Sequence, residues 1–95
     1  MVKIFWQEKE IASSNKTEVI DGDHYFPPES VKIKYFKKSE KHSTDPWKGE
    51  ANYYNLKDGE QNVNNAAWFY PEPKKEVEKI KEKIAFYSNK VDIIE

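Results

Sequence analysis

Apolar and polar residues alternate in short runs along most of the chain, the period of half-buried strands rather than of helices. Val2, Ile4 and Trp6 share one face of a first run over residues 2–7. Glu8-Lys9-Glu10 reads as a turn and residues 11–14 as a short return strand. Residues 17–20 form a third strand closed by the turn pair Asp21-Gly22. Over residues 24–30 the consecutive Pro27-Pro28 removes two ladder donors, which predicts an extended stretch turning at the prolines. Residues 31–35 alternate again, with Lys32 and Lys34 toward water and Val31, Ile33 and Tyr35 inward. Residues 36–41 continue or fray that strand, and residues 42–47 are expected as a polar connection ending in a turn.

Two strand-like runs then flank Lys57-Asp58-Gly59-Glu60, and Asp-Gly is a favoured centre for a two-residue type I′ turn. That centre pairs Lys57 with Glu60, Asn55 with Asn62, Tyr53 with Asn64, Ala51 with Ala66 and Gly49 with Trp68. The small Gly49, Ala51 and Ala66 would leave room for the indole, whereas a bulge would slip the pairing and swap the faces. Pro71-Glu72-Pro73 opens the one helix the pattern predicts, at about 74–82. Glu72 and Glu76 suit its positive end, and Val77, Ile80 and Ile84 form a stripe at i, i+3, i+7. Residues 84–87 read as a last strand, 88–90 as a turn and 91–94 as a short closing strand.

Composition narrows the picture. Ninety-five residues, 37% hydrophobic and 35% charged, are enough for one modest core and a single domain over 1–95. No run approaches the roughly 18 apolar residues of a membrane span, and the start Met-Val-Lys-Ile-Phe-Trp lacks the shape of a signal peptide. The expected location is the cytoplasm, where the sequon Asn15-Lys16-Thr17 carries no meaning. The lack of cysteine excludes disulfides, thiolate nucleophiles and cysteine-ligated metals. A formal net charge of -1 and the absence of arginine argue against a dedicated nucleic-acid binder. Lys32, Lys34, Lys37, Lys38 and Lys41 make a local basic edge, whose expected use is to protect a strand edge from pairing.

Four ordered segments carry a family resemblance. They are Tyr25-Phe26-Pro27-Pro28-Glu29-Ser30-Val31, Thr44-Asp45-Pro46-Trp47-Lys48-Gly49-Glu50-Ala51-Asn52-Tyr53-Tyr54, Ala66-Ala67-Trp68-Phe69-Tyr70-Pro71-Glu72-Pro73, and Ala85-Phe86-Tyr87 followed by Val91-Asp92. The chain resembles domain-of-unknown-function family 427, small microbial and fungal proteins sometimes labelled nucleotidyltransferases. The resemblance implies a mainly β, small antiparallel tent-like (Mss4-like) β-fold with one helix near the C-terminus. Asp45 stands where the family commonly has cysteine, so a thiol-based mechanism would not carry over. Glu82-Lys83 stands where glycine often separates the helix from the last strand, which would let the helix run slightly longer. Related tent-like folds often bind zinc through cysteine pairs. With no cysteine and only His24 and His42, neither a metal nor a cofactor is expected here.

Nucleotidyl transfer needs carboxylates for magnesium and donors that cradle phosphate. Asp21-Gly22-Asp23 is the one closely spaced aspartate pair, in an ordinary turn context, and no glycine-rich phosphate loop is present. His42, Lys48 and Glu50 are the candidate acid–base groups, on or beside the strand entering the main hairpin. The bland reading makes His42 a surface residue and Lys48 a structural or solvated one. Tyr53, Trp68 and Tyr70 project from one hairpin face beside Asn55, Asn62 and Asn64, an aromatic and amide wall suited to a flat ligand such as a base or sugar. The same aromatics can instead fill the core with their polar tips at its edge. The expected ligand site comprises Thr44, Trp47, Lys48, Tyr53, Trp68, Tyr70 and Tyr87, taking a small polar or aromatic metabolite without catalysis. The alternatives are an enzyme using His42, Lys48 and Glu50, and a module that binds a protein partner.

Overall fold

In the computed structural model, which describes residues 1–95, the first alternating run forms β1 (Val2–Trp6). It pairs antiparallel with β2 (Lys9–Ser14). Trp6 opposes Lys9, so the turn consists of Gln7 and Glu8, both at positive φ. Such primed turns match the twist of paired strands better than a longer loop over residues 8–10 would. β3 (Glu18–Ile20) and β4 (Asp23–Tyr25) form a second hairpin around Asp21-Gly22, again with positive φ at both loop positions.

The largest sheet is four-stranded and runs in chain order: β5 (Phe36–Asp45), β6 (Gly49–Asp58), β7 (Gln61–Phe69) and β8 (Ile84–Phe86). β9 (Asp92–Ile94) returns to the free edge of β1, giving a three-stranded sheet β2-β1-β9. All strand pairs in the three sheets are antiparallel.

Both faces of the four-stranded sheet are apolar, and alternation along the strands separates them. Phe36, Leu56, Ala67, Phe69, Ile84 and Phe86 face Ile4, Trp6 and Ile11 of the first sheet, in a core completed by Phe26, Val31 and Val91. On the opposite face Ala51, Tyr53, Trp68, Tyr70 and Ala85 pack with Tyr25, Val77 and Ile80. A hairpin and a short irregular segment therefore cover the second face, where a sheet or helix would more often lie.

Four further expectations are corrected. Residues 31–35 are not a strand: Val31 makes a single bridge to Ala12, residues Ile33–Tyr35 form a 3-10 turn, and Ile33 is 62% exposed. The chain has to turn there to leave β2 and begin β5. Residues 42–45 are the second half of β5, not a connection, and only residues 46–48 turn. β5 is an edge strand held by its ladder to β6, and most of its side chains are exposed, so it leaves no apolar alternation to read.

The hairpin register is also shifted. Asp58 pairs with Gln61 and Lys57 with Asn62, so the two loop residues are Gly59 and Glu60. Positive φ at Gly59 alone is the type II′ pattern. Beyond Leu56–Val63 an irregularity brings Tyr54 opposite Ala67 and Tyr53 opposite Trp68. At the irregularity Asn65 takes φ 54°, and its N–H donates to Asn55 Oδ1 at 2.8 Å. Tyr53 and Trp68 keep the shared face that the pattern predicts, now as directly opposed residues.

The helix expected at about 74–82 is absent. Residues Lys75–Ile80 form a 3-10 run interrupted at Val77, whose φ of −125° is not helical. Its two buried residues, Val77 and Ile80, flank that break and both pack in the second core. Ile84, the third member of the predicted stripe, opens β8 opposite Phe69 instead. A Lys/Glu-rich segment this short gains too little from propensity to form an α-helix against that packing.

Candidate functional site

Three chain segments converge over the Tyr53–Trp68 face. The first is the β5–β6 loop, set by Asp45. Its Oδ1 accepts hydrogen bonds from the backbone N–H groups of Trp47 and Lys48, at 2.8 and 2.9 Å. Gly49 follows at φ 112°, and a side chain there would meet the Glu72 carbonyl oxygen at 3.3 Å. The second segment, residues 71–74, straps this loop: the Lys74 N–H donates to the Lys48 carbonyl at 2.9 Å, and Lys74 Nζ donates to that of Pro46. The third is the Asp21-Gly22 turn of the β3–β4 hairpin. Lys48, only 8% exposed, joins the first and third: its Nζ donates to Asp21 Oδ2 at 2.7 Å and lies 3.6 Å from Asp45 Oδ2.

Beside this junction the β5–β6 loop, β4 and the sheet face border an open cavity of about 330 Å³, at the lower end of the usual range for small-molecule sites. Lys48, Tyr53, Trp68, Tyr70 and Tyr87 line it, and Thr44 borders it from a strand position that shares the face of Glu50. Trp68 and Tyr87 are in ring contact with centroids 4.5 Å apart, and the indole N–H donates to the Tyr25 hydroxyl at 3.3 Å. The Tyr53 hydroxyl shares a 2.7 Å hydrogen bond with Ser43 Oγ. Trp47 stands outside, half-exposed, with its ring 5.0 Å from Lys48 Nζ.

His42 and Glu50 do not join this group. Their cross-strand partners are Asn52 and Thr44, which puts both on the sheet face opposite Ala51 and Tyr53. His42 is exposed and its Nδ1 shares a 2.8 Å hydrogen bond with Asn52 Oδ1. The amides are elsewhere too: Asn62 donates to Asn64, and Asn55 holds the β7 irregularity. Phenol hydroxyls stand where the sequence suggested amides. The lining residues that sequence reasoning missed are Asp23, Tyr25, Ser43, Asp45 and Pro46. Tyr25, Asp45 and Pro46 lie inside the segments that carry the family resemblance, a signal that marks the family without marking a site. Asp23 enters the sequence reading only as half of a metal pair, and Ser43 carries no sequence signal.

The electrostatics separate the groups. Burial would lower the Lys48 ammonium, but the bond to Asp21 and the charge of Asp45 outweigh it and hold it above its ordinary value. The backbone N–H groups of Lys48 and Trp47 hold Asp45 below its own. Burial raises the Tyr25 and Tyr70 phenols, and pushes Tyr87 up to about 12, reinforced by Tyr53 beside it. Asp23 is raised by burial and by the charge of Asp21. No three histidine, aspartate or glutamate side chains gather where they could hold a metal ion. No helix is long and apolar enough to cross a membrane. A second cavity of about 610 Å³ shares Asp23, Trp68 and Tyr87 with the first and is bordered by His24, which bonds Thr17 and Glu95.

The family model for domain of unknown function DUF427 (NTP_transf_9) matches residues 1–95, so the chain belongs to this family. A search of curated proteins finds no match.

Proposed function

We propose that this DUF427 protein is a non-catalytic binding module for a small polar molecule, held in the cavity over the Tyr53–Trp68 face. The observation that carries the reading is the convergence of aromatic side chains and a buried, paired lysine on one open cavity, drawn from segments far apart in sequence. Ion pairs to carboxylates as exposed as Asp21 and Asp45 contribute little to stability on their own. Lys48, Asp21 and Asp45 are better understood as holding the cavity's rim in shape.

The protonation behaviour favours binding over acid–base chemistry. General acids and bases work best with pKa values near the operating pH. Lys48, Asp45, Tyr70 and Tyr87 are all shifted away from neutrality, and only Asp23 moves toward it. The charge balance disfavours a nucleotide, because Asp21, Asp23 and Asp45 surround the single ammonium of Lys48 and repel phosphate.

A ¹H–¹⁵N NMR titration with pooled nucleotides and common metabolites, with and without magnesium, tests this reading. Saturable shifts at the Trp68 indole and the amides of Ser43, Lys48 and Tyr87 are expected without magnesium. Shifts that require magnesium and a nucleotide would favour transfer chemistry. Silence at these resonances in every pool would remove the binding reading and move attention to a protein partner.

A further inference from the structure

Charge is segregated along this chain in a way that its net value of -1 conceals. Residues 32–41 carry five lysines against one carboxylate, Glu40. In the fold Lys34 and Lys37 meet Lys57 of β6 around an open depression of about 380 Å³, completed by Tyr35, Asp58 and Gly59. It shares no residue with the cavity beside Lys48. The ion pairs of the fold engage Lys3, Lys9, Lys48, Lys79 and Lys83, and none of these three lysines. Asp58, the one carboxylate at the depression, is taken by Lys9 at 3.1 Å.

Protection of a strand edge accounts for Lys37 but not for the cluster. Lys57 stands on β6, which is paired on both sides, and Lys34 lies in the 3-10 turn before β5. Lys37 opposes Asn55, so Lys57, two positions on, is its diagonal neighbour on the same sheet face. Such neighbours lie about 7–8 Å apart, within reach of long side chains, and like charges that close repel. The Lys34 ammonium is 5.1 Å from the centroid of the Tyr35 ring, part of the same lining. The fold leaves these three charges without a counter-charge, which an anion in the depression would supply.

We infer that this depression binds a phosphoryl group, as the free anion or a small monoester. A phosphoryl group brings about −1.5 to −2 charges at pH 7 and three acceptor oxygens, a match for three separate ammonium donors. A carboxylate brings one charge and two coplanar oxygens, the geometry that an arginine fork answers, and the chain has no arginine. No atom lies within 4 Å of the place where a side chain at Gly59 would begin, so an anion can approach the backbone there. All three lysines are exposed, so the binding is expected to weaken as salt is added.

The full chain is titrated by ¹H–¹⁵N NMR at low ionic strength with inorganic phosphate and with glycerol 3-phosphate, and separately with acetate and with poly-glutamate. At least one phosphate is expected to give saturable shifts at the amides of Tyr35, Lys37, Asp58 and Gly59. Whichever saturates at the lower concentration separates the free anion from the ester. The double variant Lys37→Gln, Lys57→Gln is expected to weaken that binding by about fivefold or more. The double variant Lys16→Gln, Lys75→Gln changes the net charge equally at exposed positions outside the depression, and is expected to leave the binding within about twofold. Equal weakening by both pairs overturns the inference, because net charge alone would then account for the binding. Saturation by acetate as tight as by phosphate overturns it too. Shifts with poly-glutamate and with neither phosphate replace the phosphoryl group by an acidic protein segment. If neither phosphate moves these amides to saturation, the inference falls. None of these resonances reports the cavity beside Lys48, so the two readings fail separately.

Discussion

Gly49 shows how much of the site hangs on single backbone positions. Its φ of 112° is open to glycine and strained for other residues, and a methyl group there would press on the Glu72 carbonyl of the strap at 3.3 Å. Gly49→Ala is expected to destabilise the fold by about 1–3 kcal/mol in urea denaturation, and to loosen the β5–β6 loop that carries Lys48. Gly59, also at positive φ but with open space around it, has no such second constraint. At this scale the shared face of Tyr53, Trp68 and Tyr70 was legible from local spacing. The small size of Gly49 answers to the Glu72 strap and its positive φ, not to the indole it was expected to accommodate. Two things were not legible: the salt link from Lys48 to Asp21, 27 positions away, and the displacement of the amides by phenols. Each depends on which distant segment arrives above the sheet.

The covering segment 71–80 is where local propensity and packing disagree. Charge pattern and proline placement favour a helix, but the chain has only these few residues to pass from β7 to the start of β8. The strap to Lys48, Val77 and Ile80 must all be satisfied within that length. A broken 3-10 run meets those demands and a regular helix does not. Ile80 is fully buried in the second core beneath the cavity. Ile80→Ala is expected to cost about 2–5 kcal/mol in chemical denaturation. Far-UV circular dichroism should show a β-type spectrum without the 222 nm band of a helix. A clear helical band that proline substitution at Lys79 abolishes would show the segment to be α-helical instead. The strands were more legible because their alternation reports burial directly. β5 was partly missed because an edge strand held by its ladder need bury little.

Over the whole molecule, the aromatic cluster links stability to pH. A phenol whose folded-state pKa lies above its ordinary 10.0 stabilises the fold while protonated. For Tyr87 that contribution is complete below pH 10 and is lost as pH rises through the folded value of about 12. Tyr70 acts in the same direction. Asp45 works at the other end: held below its ordinary 3.8, it contributes stability above that pH and loses it as pH falls further. Tyrosinate absorbance at 295 nm should show a group of tyrosines titrating late, together with alkaline unfolding. Tyr87→Phe should remove part of the late absorbance and flatten the loss of stability above pH 10. If all six tyrosines titrate together near 10 in the folded protein, the buried-phenol description fails.

By itself the sequence determined a cysteine-free, mainly β chain of one core size, with its strand faces and most of its turns, and it singled out six of the cavity's lining residues. Those properties follow from alternation, turn chemistry and composition, which act over a few neighbouring residues. Only the tertiary structure decided the rest: two cores on the two faces of one sheet, the hairpin register, the loss of the helix, and His42 and Glu50 on the face away from Lys48. These outcomes depend on contacts between segments tens of residues apart. There the burial of Val77, Ile80 and the aromatic wall outweighs the preferences of any single stretch.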